Sequence, residues 1–153
     1  MSPSADDLKK ITQVLIADES SYADMRQACV NLLQLFYDAS GFDENDPVND
    51  MHMQTAAGQA VSPQSAAVCI RDFMRTRVFM RGLQEAISTR LQENPGEPVT
   101  VLYAGTGPFA TLLFPLATLF GAEQLKMLLL EINPASIACL NKVIHYFNLE
   151  PYV

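Results

Sequence analysis

Apolar residues recur at three- and four-residue steps over several stretches of the chain, and each such stretch predicts an amphipathic helix. Leu8, Ile11 and Leu15, with Val14 beside them, form the first apolar face. Ser4 is its expected N-cap, and Asp6 and Asp7 occupy the first turn, where the helix dipole favours acids. Tyr22, Met25, Cys29, Leu32, Leu33 and Phe36 predict a second helix from Ser21 to Ala39, stopped by Gly41. These two helices read as an N-terminal cap or a dimerisation element. Ser62-Pro63 opens a third helix, with serine as N-cap and proline at the first helical position. It is expected to run to Gln92 with a break near Gly82, burying Ala66, Ile70, Phe73, Met74, Val78, Phe79, Leu83, Ile87 and Leu91. Arg71, Arg75, Arg77 and Arg81 sit on it, as a solvated face or, for one of them, as a partner for a ligand carboxylate or phosphate.

The pattern then changes. Asn94-Pro95-Gly96-Glu97-Pro98 is a linker between a helical half and an α/β half. Val99 to Tyr103 and Lys126 to Leu130 are short buried-strand runs, separated by a helix-length of apolar residues that Pro115 should kink. Asn133-Pro134 starts another helix with Ile137, Leu140, Ile144 and Phe147 on its apolar face and His145 at the rim, and a third strand is expected from Tyr152. The fold class is therefore α/β. It divides into N-terminal helices and loop over 1–61, a covering helix over 62–93, the linker 94–98, and the first βαβ unit of a parallel sheet over 99–153. Two parallel strands do not make an independently stable sheet of this kind. The sequence is thus expected to be the N-terminal piece of a longer enzyme, or to be completed by another chain, and its uncovered apolar surface predicts a dimer.

Between Phe42 and Val61 no regular period holds. DENDPVND reads as a solvated acidic turn, and MHMQTAAGQAV as a loop folding its apolar residues over a pocket. One histidine, His52, between Met51 and Met53 is a weak ligand set, so no metal is expected.

Composition narrows the classes further. With 153 residues, 49% of them hydrophobic and 18% charged, the chain suits one domain with a real core. A net charge of −7 argues against a nucleic-acid surface. Cys29, Cys69 and Cys139 are widely spaced without a CxxC pair, which fits a reducing compartment and neither disulfides nor structural zinc. The start, MSPSADDLKK, has no basic leader or apolar run, and the longest apolar stretch, Thr111 to Phe120, is too short to span a bilayer. A cytoplasmic protein without membrane partners is expected.

The candidate chemistry lies where the first strand meets Gly105-Thr106-Gly107 and where the second ends in Glu131. Glycines there permit positive φ and leave no Cβ between backbone and ligand, the amides of a following helix would face that ligand, and a carboxylate at the neighbouring strand tip can accept both hydroxyls of a ribose. This predicts a nucleoside-cofactor site. Gly105-Thr106-Gly107-Pro108-Phe109-Ala110 also satisfies GxGxxA, so a nicotinamide-dependent oxidoreductase binding NAD(P) is the alternative.

The segment Arg71-Asp72-Phe73-Met74-Arg75-Thr76-Arg77-Val78-Phe79 resembles the D-x-x-R-T-x-x-aromatic helix of protein arginine methyltransferases. Downstream, VLYAGTGPFATLL and LLLEINPASIACLNKVIHYFNL resemble the first and second nucleoside-binding motifs of class I S-adenosylmethionine-dependent methyltransferases, so that the likeness covers residues 62 to 150. It implies a Rossmann-like methyltransferase sheet, S-adenosylmethionine as cofactor, and cofactor contacts from Arg75, Tyr103, Gly105, Thr106, Gly107 and Glu131. Arg75 would pair with the methionine carboxylate, Gly105 and Gly107 would let the backbone approach the methionine and ribose, and Glu131 would hold the ribose hydroxyls. Tyr103 stands where the family usually has an acid, and Phe109 where it has a third glycine. The paired glutamates that grip a guanidino substrate follow later strands in that family, so no methyl acceptor and no catalytic residue is assigned. A third reading is a non-catalytic, methyltransferase-like assembly module.

Overall fold

Two hydrophobic-faced helices begin the described chain and lean against everything that follows. The structure is a computed structural model and describes residues 5–56 and 58–153. Helix α1 spans Ala5–Ile16 and buries Leu8, Ile11, Thr12 and Leu15; its expected N-cap, Ser4, lies outside the described residues. Helix α2, Tyr22–Ser40, starts where the Ser21 hydroxyl accepts the Asp24 amide and ends at Gly41 in the left-handed region, φ 66°. Its buried side follows the expected period except at Tyr22, which is exposed and meets Phe73 edge-on at 6.3 Å. A 3-10 turn, Pro47–Asp50, then orders the acidic loop.

The segment expected to be a loop carries a short antiparallel pair, β1 (Met53–Thr55) with β2 (Gly58–Ala60), in which Met53 pairs with Ala60. Three-residue strands carry too little alternation for the sequence to announce them.

The expected single helix over 62–92 is two. Helix α3, Pro63–Val68, capped by Ser62, runs into a 3-10 turn over Cys69–Arg71, and α4, Phe73–Glu93, restarts where the Asp72 side chain accepts the Arg75 amide. The break is therefore at Asp72 and not at Gly82, which lies inside an unbroken helix. Because a 3-10 turn has three residues per turn, it shifts the phase of the apolar face. Thr76, Met80 and Ile87 are buried on α4, while Met74, Val78 and Phe79, expected inside, are exposed.

After the linker, β3 (Val99–Ala104) and β4 (Leu125–Leu130) pair in parallel, with Val99 opposite Leu125 and Ala104 opposite Leu130. The connection between them corrects a second expectation: no α-helix follows Gly107. Residues 107–113 run as turns and Phe114–Thr118 as a 3-10 helix. Pro108 disfavours helical geometry at Gly107, Ala110 has φ 43°, and Pro115 begins the 3-10 segment. An apolar stretch without a polar face does not distinguish a helix from a buried irregular segment. Phe109, Leu113, Phe114 and Leu116 anchor this segment, and Phe109 stacks on Phe36 with centroids 5.2 Å apart. Helix α5, Pro134–Tyr146, is capped by Asn133 and buries Ser136, Cys139, Leu140 and Val143, leaving Ile137 exposed. A 3-10 turn over Glu150–Tyr152 stands where a third strand was expected, and the Tyr152 hydroxyl donates toward the Ala117 and Phe120 carbonyls, 3.0 Å from each.

The molecule is thus mixed α/β, with five α-helices and two two-stranded sheets among the described residues. The linker separates two halves in sequence but not in space, since one hydrophobic cluster runs from Leu8, Leu32 and Phe36 through Ile70 and Met80 to Phe109, Leu125 and Leu140. No described helix is long and apolar enough to cross a membrane.

Candidate functional site

The carboxyl ends of β3 and β4 open into a cavity of about 390 Å³. Ala104, Gly105, Gly107, Leu130, Glu131 and Ile132 from the sheet end, Ala60 and Val61 from the hairpin, and Ala66 and Ser136 from helices α3 and α5 line it. The hairpin's exit strand therefore walls a pocket, as the apolar residues of that segment suggested. A larger groove of about 740 Å³ lies elsewhere, against the α1–α2 turn and the outer side of α4. Its arginines are already engaged: Arg77 donates to the Ala17 carbonyl at 2.6 Å and Arg81 pairs with Asp18 at 2.6 Å.

Glu131 holds the smaller cavity together. Its Oε2 accepts the Gly107 amide at 2.8 Å, and its Oε1 accepts the amides of Ile132 at 2.7 Å and Asn133 at 2.9 Å. A carboxylate offers about four acceptor positions, so roughly one remains, on Oε2. The amides of Gly105 and Thr106 are engaged as well, both directed to the Leu130 carbonyl at 2.8 and 3.4 Å. The expected row of free amides at a helix start is therefore absent: the three amides of the glycine turn bond within the protein, and no helix follows them.

The two glycines differ in what they face. Both have positive φ, 71° at Gly105 and 63° at Gly107. A Cβ on Gly105 would meet nothing within 4 Å, whereas one on Gly107 would lie 2.9 Å from the Ala66 Cβ. Gly105 faces open space; Gly107 leaves room for helix α3. Thr106 turns inward, buried, with its hydroxyl donating to the Gly107 carbonyl at 3.0 Å.

Arg75 and Tyr103 are not among the residues lining the cavity. Tyr103 is half-buried at the strand residue preceding Ala104, and Arg75 is exposed on the first turn of α4. The neighbouring Cys69 favours the charged form of the Arg75 guanidinium still further. Burial raises the Tyr103 hydroxyl above its ordinary range, the neighbouring Cys69 adds to that rise, and Arg75 opposes it. Of the four arginines, Arg71 pairs with Glu44 at 2.6 Å, Arg81 with Asp18, and Arg77 with carbonyls, while Arg75 is exposed on α4 with Cys69 near it.

The structure therefore brings Gly105, Gly107 and Glu131 into one pocket, leaves Arg75 and Tyr103 outside its lining, and buries the Thr106 side chain. Ala60, Val61, Ala66 and Ser136 were not singled out as site residues from the sequence. The one usable signal was Ala66, a small residue on a helix that must pass a glycine turn. His52 uses Nδ1 to accept the Ser62 amide at 3.1 Å.

Compared with known proteins, the chain matches no protein-family model, no curated protein and no solved structure.

Proposed function

We propose that the chain is the cofactor-binding part of a class I S-adenosylmethionine-dependent methyltransferase with a Rossmann-like sheet, transferring a methyl group to an acceptor nucleophile. The observation that carries the reading is Glu131: an acid at the tip of β4, 2.8 Å from the glycine turn after β3, in a cavity where Gly105 faces open space.

The donor set fits this cofactor better than a dinucleotide. A pyrophosphate is held by free amides at a helix N-terminus. Here those amides are engaged and the helix is missing. S-adenosylmethionine carries no phosphate; it presents a diol, a carboxylate and a cation. Glu131, with about one acceptor position left, would hold the ribose hydroxyls, the bare backbone at Gly105 would face the methionine and ribose, and Arg75 would pair with the methionine carboxylate. When bound, the cofactor would supply an electrophilic methyl carbon on sulfur. The protein's part is orientation and exclusion of water by the apolar wall of Ala60, Val61 and Ala66.

Calorimetry with S-adenosylhomocysteine and NADH side by side tests this. Saturable binding of S-adenosylhomocysteine is expected, weakened by about 1–3 kcal/mol in Glu131→Ala and in Arg75→Ala, the range for charge-assisted bonds lost. Unaltered affinity in both variants rejects the roles given to those residues, and binding of NADH alone favours the oxidoreductase. Tight binding without turnover across acceptors identifies a non-catalytic module.

A further inference from the structure

The β1–β2 ladder ends at the Met53–Ala60 pair, and the next rung is not made by backbone. It is made by the His52 side chain, whose Nδ1 accepts the Ser62 amide at 3.1 Å. Ser62 is fully buried and holds two neighbouring structures at once. Its hydroxyl accepts the Ser65 amide at 3.2 Å, starting helix α3, which one turn later brings Ala66 against Gly107. Its amide, through His52, closes the root of the hairpin whose exit residues Ala60 and Val61 line the cavity. Val61 is 60% exposed, so little packing fixes it where it stands. The position of this apolar wall, which shares the cavity with Glu131, depends on the hairpin root.

We propose that His52 is a positioning residue for this cavity: by accepting the Ser62 amide it holds Ala60 and Val61 against the bound nucleoside ligand and sets how fast that ligand leaves. The inference rests on the S-adenosyl reading of the cavity. A wall clamped at its root covers the ligand in the cavity and slows its escape. A wall released at Ser62 leaves a buried amide without its acceptor, and the segment moves to find water.

The test is the release rate of S-adenosylhomocysteine, followed by chase in a stopped-flow instrument. Release from His52→Ala is expected to be about fivefold faster than from the unaltered protein, the factor to which one hydrogen bond's net contribution converts. His52→Asn, whose side-chain oxygen can stand near the position of Nδ1, restores slow release, which loss of a merely space-filling ring would not. Val61→Ala, at an exposed position, speeds release without lowering the melting temperature. Hydrogen exchange supplies a second readout: the Ser62 amide is protected in the unaltered protein and in His52→Asn, exposed in His52→Ala, and bound ligand slows exchange over 60–62. Equal release from His52→Ala and the unaltered protein, with no ligand-dependent protection over 60–62, overturns the inference while the cofactor reading stands. Failure of the unaltered protein to bind S-adenosylhomocysteine overturns that reading, and with it the ligand this wall is said to hold.

Discussion

Gly107 and Ala66 show how much a single missing methyl decides. Alanine at 107 brings a Cβ within 2.9 Å of the Ala66 Cβ and holds a side chain at φ 63°, so Gly107→Ala is expected to destabilise by about 2–4 kcal/mol. Gly105→Ala carries the backbone strain without the clash and is expected to cost about 1–2 kcal/mol, while its effect on ligand affinity is the larger of the two. Urea unfolding of both variants, and of Gly107→Ala combined with Ala66→Gly, measures the coupling; additive effects would mean the contact is not what fixes glycine at 107. Cys29 offers a test by pH. Burial, aided by the charge of Asp72, pushes its thiol up from 9.0 to about 11, against the opposing Thr76 hydrogen bond. The folded state therefore holds this proton more tightly than the unfolded one. The contribution is intact below pH 9 and is lost as pH rises through about 11. Unfolding at pH 8 and pH 11 should show a smaller alkaline loss in Cys29→Ala than in the unaltered protein.

Among the elements, α4 separates local from tertiary causes. Gly82 is a helix-interior glycine with nothing within 4 Å of its missing Cβ, so Gly82→Ala should stabilise by about 0.5–1 kcal/mol. Asp72→Ala, which removes the cap of α4, should destabilise by about 1 kcal/mol. Thermal unfolding reads both, and a destabilised Gly82→Ala would move the break back to where the sequence put it. What the sequence made legible was what repeats or caps. The periods of α1 and α2, the start of α2 at Ser21 and its stop at Gly41, the start of α5 at Asn133 and the two strand runs all came from local chemistry. The break at Cys69–Asp72 did not, because apolar residues continue through it and only a 3-10 turn shifts their phase. The segment after Gly107 was misread for the opposite reason: it is apolar on every side and is held by tertiary packing of Phe109 and Phe114. In the site, the glycines and Glu131 carried their own signatures, whereas Ala60, Val61 and Ala66 are small and apolar and acquire meaning only from what they face.

At the scale of the molecule, the β3–β4 sheet is covered on one side. Leu102 is 58% exposed and its partner across the sheet, Leu128, 54%, with Leu130 and Ile132 continuing the bare strip. Parallel strands ordinarily have both faces covered. We therefore expect self-association through this face: sedimentation at micromolar concentration should give a dimer, and Leu128→Lys should weaken it at least tenfold while leaving the melting temperature within a few degrees. A monomer under those conditions counts against it. The same sheet has another consequence. Each of its rungs joins residues far apart along the chain, as Val99 with Leu125, whereas α1 and α2 are each built from neighbours within a turn. Closing the long connection carries an entropy cost that the helices do not bear. The carboxyl ends of this sheet are thus expected to be the last part to assemble and the first to come apart. A stored sample should then keep its helical dichroism after the sheet has opened, and ellipticity is no certificate that the cavity between its strand ends is intact.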